Sequence, residues 1–259
     1  MRRRENAIES MLSALPREFQ RAAFFCYEAT MLKFADVAKS IDHSLLGPAL
    51  TVRELEAGCR LALHYDVASI CILPYYLPRC AELVAGSTVR ASTTIGFPHG
   101  GHATSIKVAE TLRALDDGAD ELDVVVNISK VMSGDWDYVR SELSAITQAV
   151  HSRDRKIKVI FENSYLGPDE KAALCAIAGE IGADWAKTST GFGPGGATMD
   201  DVKLMRGQCP PSVGIKASGG IRDIDEVLAF RALGATRIGT SRSREILEEW
   251  RRRRAASTR

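Results

Sequence analysis

The sequence predicts a single α/β domain closed as a (β/α)8 TIM barrel, preceded by an extra N-terminal helical segment. Three observations predict it. Short apolar runs alternate with helical stretches from about residue 36 to residue 250, giving about eight strands, each followed by a helix. Runs such as DVVV (123–126) and SICIL (69–73) are too continuous for a sheet with one wet face, and suit parallel strands covered on both sides. A helix-ending glycine, an alanine, a turn residue and a strand recur as GADELDV at 118, GADWAKT at 182 and GATRIGT at 234. Those starts are 64 and 52 residues apart, about two βα units each. No GxGxxG opens the first unit, which disfavours a doubly wound dinucleotide fold.

The elements follow in order. Residues 1–35 form the helical extension, with Met11, Leu12, Leu15, Phe19, Ala22, Ala23 and Cys26 near helical spacing and Pro16 opening a second helix. A short extended piece covers Ala38–Asp42. Thr51–His64 is a helix opened by a capping box, Thr51 with Glu54. Val67–Leu73 is a buried strand ended by Pro74, and Thr88–Gly96 is the next strand. Helix Ser105–Asp117 leads to strand Glu121–Asn127, and helix Trp136–Ser152 to strand Lys158–Asn163. Helix Pro168–Ile181 leads to strand Trp185–Ser189, and helix Met199–Gln208 to strand Val213–Ser218. Helix Ile224–Leu233 leads to strand Arg237–Thr240, with a last helix from Ser243. Residues 36–250 are the barrel, and residues 251–259 a basic tail.

Composition narrows the function. The chain is 45% apolar and 26% charged, as in an ordinary globular protein. A formal net charge of +1 excludes general binding to nucleic acid or to a membrane surface. Cys26, Cys59, Cys71, Cys80, Cys175 and Cys209 form no CxxC pair, so they read as free thiols in a reducing, cytoplasmic compartment. No apolar run approaches a membrane span.

Strand side chains alternate between faces, so a polar residue within an apolar strand marks a site. Lys187 shares a face with Trp185 and Ser189, Lys216 with Gly214 and Ser218, and Asp123 with Val125 and Asn127. The two lysine strands are consecutive and about 4.8 Å apart if adjacent. Two buried ammonium groups that close disfavour each other's charge, leaving one amine partly neutral and nucleophilic toward carbonyls. Asp123 can hold the other lysine charged and pass protons through a water. The competing reading is a structural ion pair.

Glycine loops follow these strands: Gly191 and Gly193 after Lys187, Gly219 and Gly220 after Lys216, and Gly239, Thr240 and Ser241 at the last strand. Backbone N–H groups and helix starts there suit a phosphate, with Arg222 in support. His43, His99 and His102 have no carboxylate or cysteine at ligand spacing, so no metal is expected.

Eight blocks, IDHSLL (41–46), ASICILP (68–74), IGFPHG (95–100), GADELDVVVN (118–127), KVIFEN (158–163), KTSTGF (187–192), GIKASGGIR (214–222) and RIGTS (237–241), resemble deoxyribose-phosphate aldolases in order. Gly47 and Asn163 depart from the family's usual lysine and threonine. The resemblance implies a metal-free, cofactor-free (β/α)8 class I aldolase. Such an enzyme reversibly cleaves 2-deoxy-D-ribose 5-phosphate to D-glyceraldehyde 3-phosphate and acetaldehyde. It implies Lys187 as the Schiff-base lysine, Lys216 as the cation that lowers its pKa, and Asp123 as the proton-transfer partner. Asp42 and Cys71 would line the substrate end, and Gly191, Gly219, Gly220, Gly239 and Ser241 would hold the phosphate. Partners are then a phosphorylated sugar and an aldehyde, and a homodimer suits such barrels. The alternatives are a related Schiff-base lyase on another phosphorylated sugar, or a non-catalytic sugar-phosphate-binding barrel.

Overall fold

A computed structural model describes residues 32–257. The expected helices of residues 1–31 lie outside the described residues. Helix α1 (Phe34–Ala38) leads into β1 (Ile41–Leu45), followed by α2 (Val52–Tyr65), β2 (Ser69–Ile72), α3 (Leu77–Val84) and β3 (Arg90–Ile95). Then come α4 (Thr104–Asp116), β4 (Glu121–Val125), α5 (Ile128–Met132), α6 (Trp136–His151) and β5 (Lys156–Ile160). The chain continues with α7 (Pro168–Glu180), β6 (Trp185–Lys187), α8 (Met199–Gln208), β7 (Gly214–Ser218), α9 (Ile224–Ala232), β8 (Ala235–Thr240) and α10 (Ser243–Ser257). The eight strands pair in sequence order, all parallel, and β8 closes on β1.

Local chemistry sets the boundaries. Thr51 and Glu54 make both halves of the capping box that opens α2. Gly118, Gly182 and Gly234 adopt φ of +95°, +69° and +97°, the left-handed turn that ends a helix. After the first two, Ala119 and Ala183 donate back to Ala114 and Ala178 in Schellman closures, so the recurrent GA pair is a helix stop.

The alternation of faces is visible on β4. Leu122, Val124 and Val126 join the apolar layer between sheet and helices, whereas Asp123 and Val125 lie outside that layer. That layer is continuous around the barrel, and each fully buried Ile or Leu in it contributes about 2 kcal/mol.

Several expected bounds move. The first strand runs over 41–45 rather than 38–42, which places Asp42 inside the sheet instead of at its end. The fifth begins at Lys156, two residues earlier than expected, and releases Phe161–Asn163 from the sheet. Helix α3 supplies the helix expected after the second strand, over residues 77–84, where the sequence reading set no bounds. Pro74 opens a 3₁₀ turn and Pro78 lies in the first turn of α3, where no intrahelical N–H is needed. The final helix continues through Ser257, so the boundary drawn at residue 250 falls inside it.

Candidate active site

Six strands direct charged side chains into the barrel: Asp42 from β1, Glu121 and Asp123 from β4, Lys158 from β5, Lys187 from β6, Lys216 from β7 and Arg237 from β8. Lys187 and Lys216 are Cα partners across β6 and β7, so their side chains leave the sheet side by side. Lys187 Nζ donates to Asp123 Oδ2 at 2.7 Å, and Lys216 Nζ donates to the same oxygen at 2.6 Å. Asp123 Oδ1 accepts from Lys158 Nζ at 2.8 Å. Lys216 Nζ also lies 2.6 Å from Asp42 Oδ2, as an ion contact rather than a well-directed hydrogen bond.

Two further groups close the network at the level of Trp185. Lys158 Nζ stands 2.7 Å from Glu121 and 3.4 Å from Asp42. Arg237 donates to Asp42 Oδ1 at 2.5 Å and to both Glu121 oxygens at 3.0 and 2.7 Å. Its guanidinium lies 4.7 Å from the Trp185 ring centroid.

The charges do not balance. Three carboxylates face four basic groups, so with all ionised the interior carries one surplus positive charge. An unbalanced buried ion costs several kcal/mol, and the proton should leave the amine with fewest carboxylate partners. Among the described residues Lys158 has three such partners, Lys216 two and Lys187 one. The pKa directions agree. Burial, only partly countered by Asp123 and reinforced by Lys216, lowers Lys187 from the usual lysine value. Burial also opposes the charge on Lys216, but Asp123 and Asp42 outweigh it and its pKa rises. Lys158 rises further against its burial, through Asp123, Asp42 and Glu121. Burial would raise Asp123, yet Lys158, Lys187 and Lys216 hold it well below the usual carboxylate range.

Backbone chemistry fixes the lysine-bearing strand ends. Thr188 Oγ1 donates to the Ser218 carbonyl and accepts from the Ser218 N–H, and Ser218 Oγ donates to the Ser189 carbonyl at 2.5 Å. Beyond Lys187, the buried Glu162 carboxylate accepts from the Thr190 hydroxyl and N–H, and Thr190 Oγ1 accepts from Phe192 N. The loop bearing Gly191 is therefore clamped at its root.

A cavity of about 760 Å³ opens above this network. Lys187, Lys216, Asp42, Cys71, Gly191, Gly219, Gly220, Gly239 and Ser241 all line it, with Arg222 and Arg242. Gly239 is required by close approach: a Cβ there would lie 2.8 Å from Ser218 Cβ and 3.3 Å from Lys216 Cε. Asp123 does not line the cavity and lies beneath the lysines. The Cys71 thiol is raised by burial and then by Asp123, so it stays protonated.

Lys158, Glu121 and Arg237 escape the sequence reading. Each shares its strand with another polar residue, Glu121 with Asp123, Lys158 with Lys156 and Arg237 with Thr236 and Thr240, so none stands out from an apolar run. Lys158 passed as a strand start because the strand was begun there rather than at Lys156.

The profile of the DeoC/LacD family aldolases matches residues 36–249. The deoxyribose-phosphate aldolase of Rhodopirellula baltica is 57% identical over 220 residues, covering 85% of this chain and 91% of that protein. The solved aldolase QR15 superposes with a TM-score of 0.81 at 38% identity, covering 85% of this chain and 98% of that one. The tetrameric deoxyribose phosphate aldolase of Aeropyrum pernix superposes with a TM-score of 0.80 at 30% identity, covering 86% and 96%. A profile match across the whole barrel, joined to relatives this close, makes this chain a member of the DeoC/LacD family of aldolases.

Proposed function

We propose that this chain is a class I aldolase that reversibly cleaves 2-deoxy-D-ribose 5-phosphate to D-glyceraldehyde 3-phosphate and acetaldehyde, with Lys187 as the amine. The observation that carries the reading is the shared Asp123 oxygen. One lysine with a single carboxylate partner lies beside a second lysine that two carboxylates keep charged, at the floor of a glycine-lined cavity.

The neutral Lys187 amine adds to the C1 aldehyde of the open-chain sugar, and loss of water leaves a protonated imine. Removal of the C3 hydroxyl proton breaks the C2–C3 bond. The electron pair passes through C2 to the iminium nitrogen, so the C3–C5 aldehyde leaves and an enamine remains. Protonation at C2 and hydrolysis release acetaldehyde and restore the amine. Asp123, ionised and bonded to both lysines beneath the cavity, exchanges these protons by way of the Lys216 ammonium, which lines the cavity, and a water beside it. Lys216 keeps Lys187 deprotonated at neutral pH. Asp42 holds Lys216 from the other side, and Cys71 shapes the apolar wall beside the two-carbon fragment. The phosphate rests on the backbone N–H groups of the Gly191, Gly219, Gly220 and Gly239 loops, with the Ser241 hydroxyl and the Arg222 charge in support. We read the assembly as a homodimer, checked by light scattering.

Cyanoborohydride reduction in acetaldehyde, followed by peptide mass mapping, tests the amine. An adduct on Lys187 supports the reading, and an unmodified chain means a sugar-phosphate-binding barrel without catalysis. Cleavage rates across a panel of sugar phosphates then test the substrate, and preference for another sugar would mean a related lyase.

A further inference from the structure

Arg237 stands apart from the chemistry just described. It does not line the substrate cavity, yet it makes three hydrogen bonds to two of the three carboxylates inside the barrel. Its side chain is 13% exposed, whereas the lysines and carboxylates above it are at most 4% exposed. Together with Trp185 it forms a floor at the end of the barrel opposite the cavity mouth. The Trp185 ring fits there because residue 214 is glycine: a Cβ would lie 2.4 Å from Trp185 Cδ1.

We propose that Arg237 is a positioning residue for the aldol chemistry: by fixing Asp42 and Glu121 from below, it supplies the permanent positive charge that leaves Lys187 as the one uncharged amine. The inference rests on Lys187 being the reacting amine. A guanidinium does not lose its proton in this setting, unlike the three lysines, so it is the fixed member of the charge count. Burial opposes its charge, and Asp42 and Glu121 more than offset that. Its effect reaches Lys187 in two steps. Arg237 occupies Asp42 Oδ1, so Asp42 holds Lys216 only through Oδ2. Lys216 is thereby left on Asp123, where it competes with Lys187 for one oxygen. Without Arg237, Asp42 draws Lys216 away, Asp123 turns to Lys187, and three carboxylates face three lysines. The interior is then neutral only when Lys187 is protonated. The groups facing Lys187 from the packed elements are Asp42, Cys71, Glu121, Asp123, Lys158, Glu162, Lys216 and Arg237.

The test is the pH midpoint of the initial rate of the cyanoborohydride-trapped acetaldehyde adduct on Lys187. Arg237→Met should raise the midpoint by about one unit, which lowers trapping about tenfold at neutral pH and restores it in alkali. Arg237→Lys keeps the charge and should keep the native midpoint, whatever it does to stability. Glu121→Gln removes a negative charge and should move the midpoint the other way, below native. If Arg237→Met does not fold, the Glu121→Gln shift decides alone. A native midpoint in folded Arg237→Met, or in Glu121→Gln where the first fails to fold, overturns the inference and leaves Arg237 a structural plug. If the native chain itself forms no adduct on Lys187, the functional reading fails instead, so the two failures are distinct.

Discussion

Lys187 and Lys216 compete for one oxygen atom: their Nζ atoms lie 2.7 and 2.6 Å from Asp123 Oδ2, and their Cα atoms are register partners on adjacent strands. The difference between them comes from the far side, where Asp42 gives Lys216 a second carboxylate and Lys187 has none. One backbone register thus produces two lysines of opposite character.

Replacing Lys216 should therefore disable Lys187 without touching it. In Lys216→Leu the competing cation is gone, and Lys187 takes up a proton at neutral pH. The expected loss of kcat/KM for sugar-phosphate cleavage is at least about 100-fold, with part of the trapping recovered at alkaline pH. Near-native turnover at neutral pH would contradict the assigned role.

Asp123→Asn separates imine formation from proton transfer. The amide removes the only carboxylate partner of Lys187 among the described residues, so its charge becomes less favourable still and trapping by cyanoborohydride should persist. Exchange of the acetaldehyde methyl protons with solvent deuterium should fall about 100-fold or more, since the proton carrier is lost. Three basic groups lose a partner at once, so the variant should also be less stable by roughly 3–5 kcal/mol, read from urea unfolding. Unchanged exchange would remove Asp123 from proton transfer.

How much of this was legible in the sequence follows from what strand periodicity can and cannot encode. Lys187, Lys216 and Asp123 stand out because each interrupts an apolar run, and that signal led to three residues that meet within hydrogen-bond distance. Asp42 was harder, because IDHSLL alternates poorly and its strand was placed three residues early. Arg237 and Glu121 sit near strand starts, where a charge ordinarily means solvent. Only closure of β8 onto β1 brings Asp42, Glu121 and Arg237, from three distant strands, to one point. Helix α3 carries Pro78 in its first turn, where a proline does not break a helix.

Ser241 tests the phosphate end. It lines the cavity with Arg222 and Arg242, above the lysines. In Ser241→Glu a carboxylate would face the phosphate dianion at a cost of about 1–2 kcal/mol. KM for 2-deoxyribose 5-phosphate should rise about tenfold or more, while cleavage of unphosphorylated 2-deoxyribose stays near native. A parallel change for both sugars would mean that the phosphate lies elsewhere.

His43 links the same loop to acid stability. It follows Asp42 on β1, is 4% exposed, and its Nδ1 lies 2.8 Å from the hydroxyl of Ser243, the first residue of α10. Burial, partly offset by Glu245, lowers its pKa from 6.5 to about 4. A positive helix start beside it disfavours the imidazolium further. The folded chain therefore keeps His43 neutral down to about pH 4, while the unfolded chain protonates it below 6.5. Between those values the unfolded state binds more protons, so this contribution is fully present above pH 6.5 and is lost as the pH falls toward 4. At about 1.4 kcal/mol per unit, the loss from this residue amounts to roughly 3 kcal/mol. His43→Gln keeps a neutral hydrogen-bonding side chain and cannot titrate there. Urea unfolding at neutral pH and near pH 4 should show the variant losing less stability than the native chain over that interval, by about that amount. Equal losses in the two proteins would show that acid sensitivity arises elsewhere, in the carboxylates that Lys158, Lys216 and Arg237 hold ionised inside the barrel.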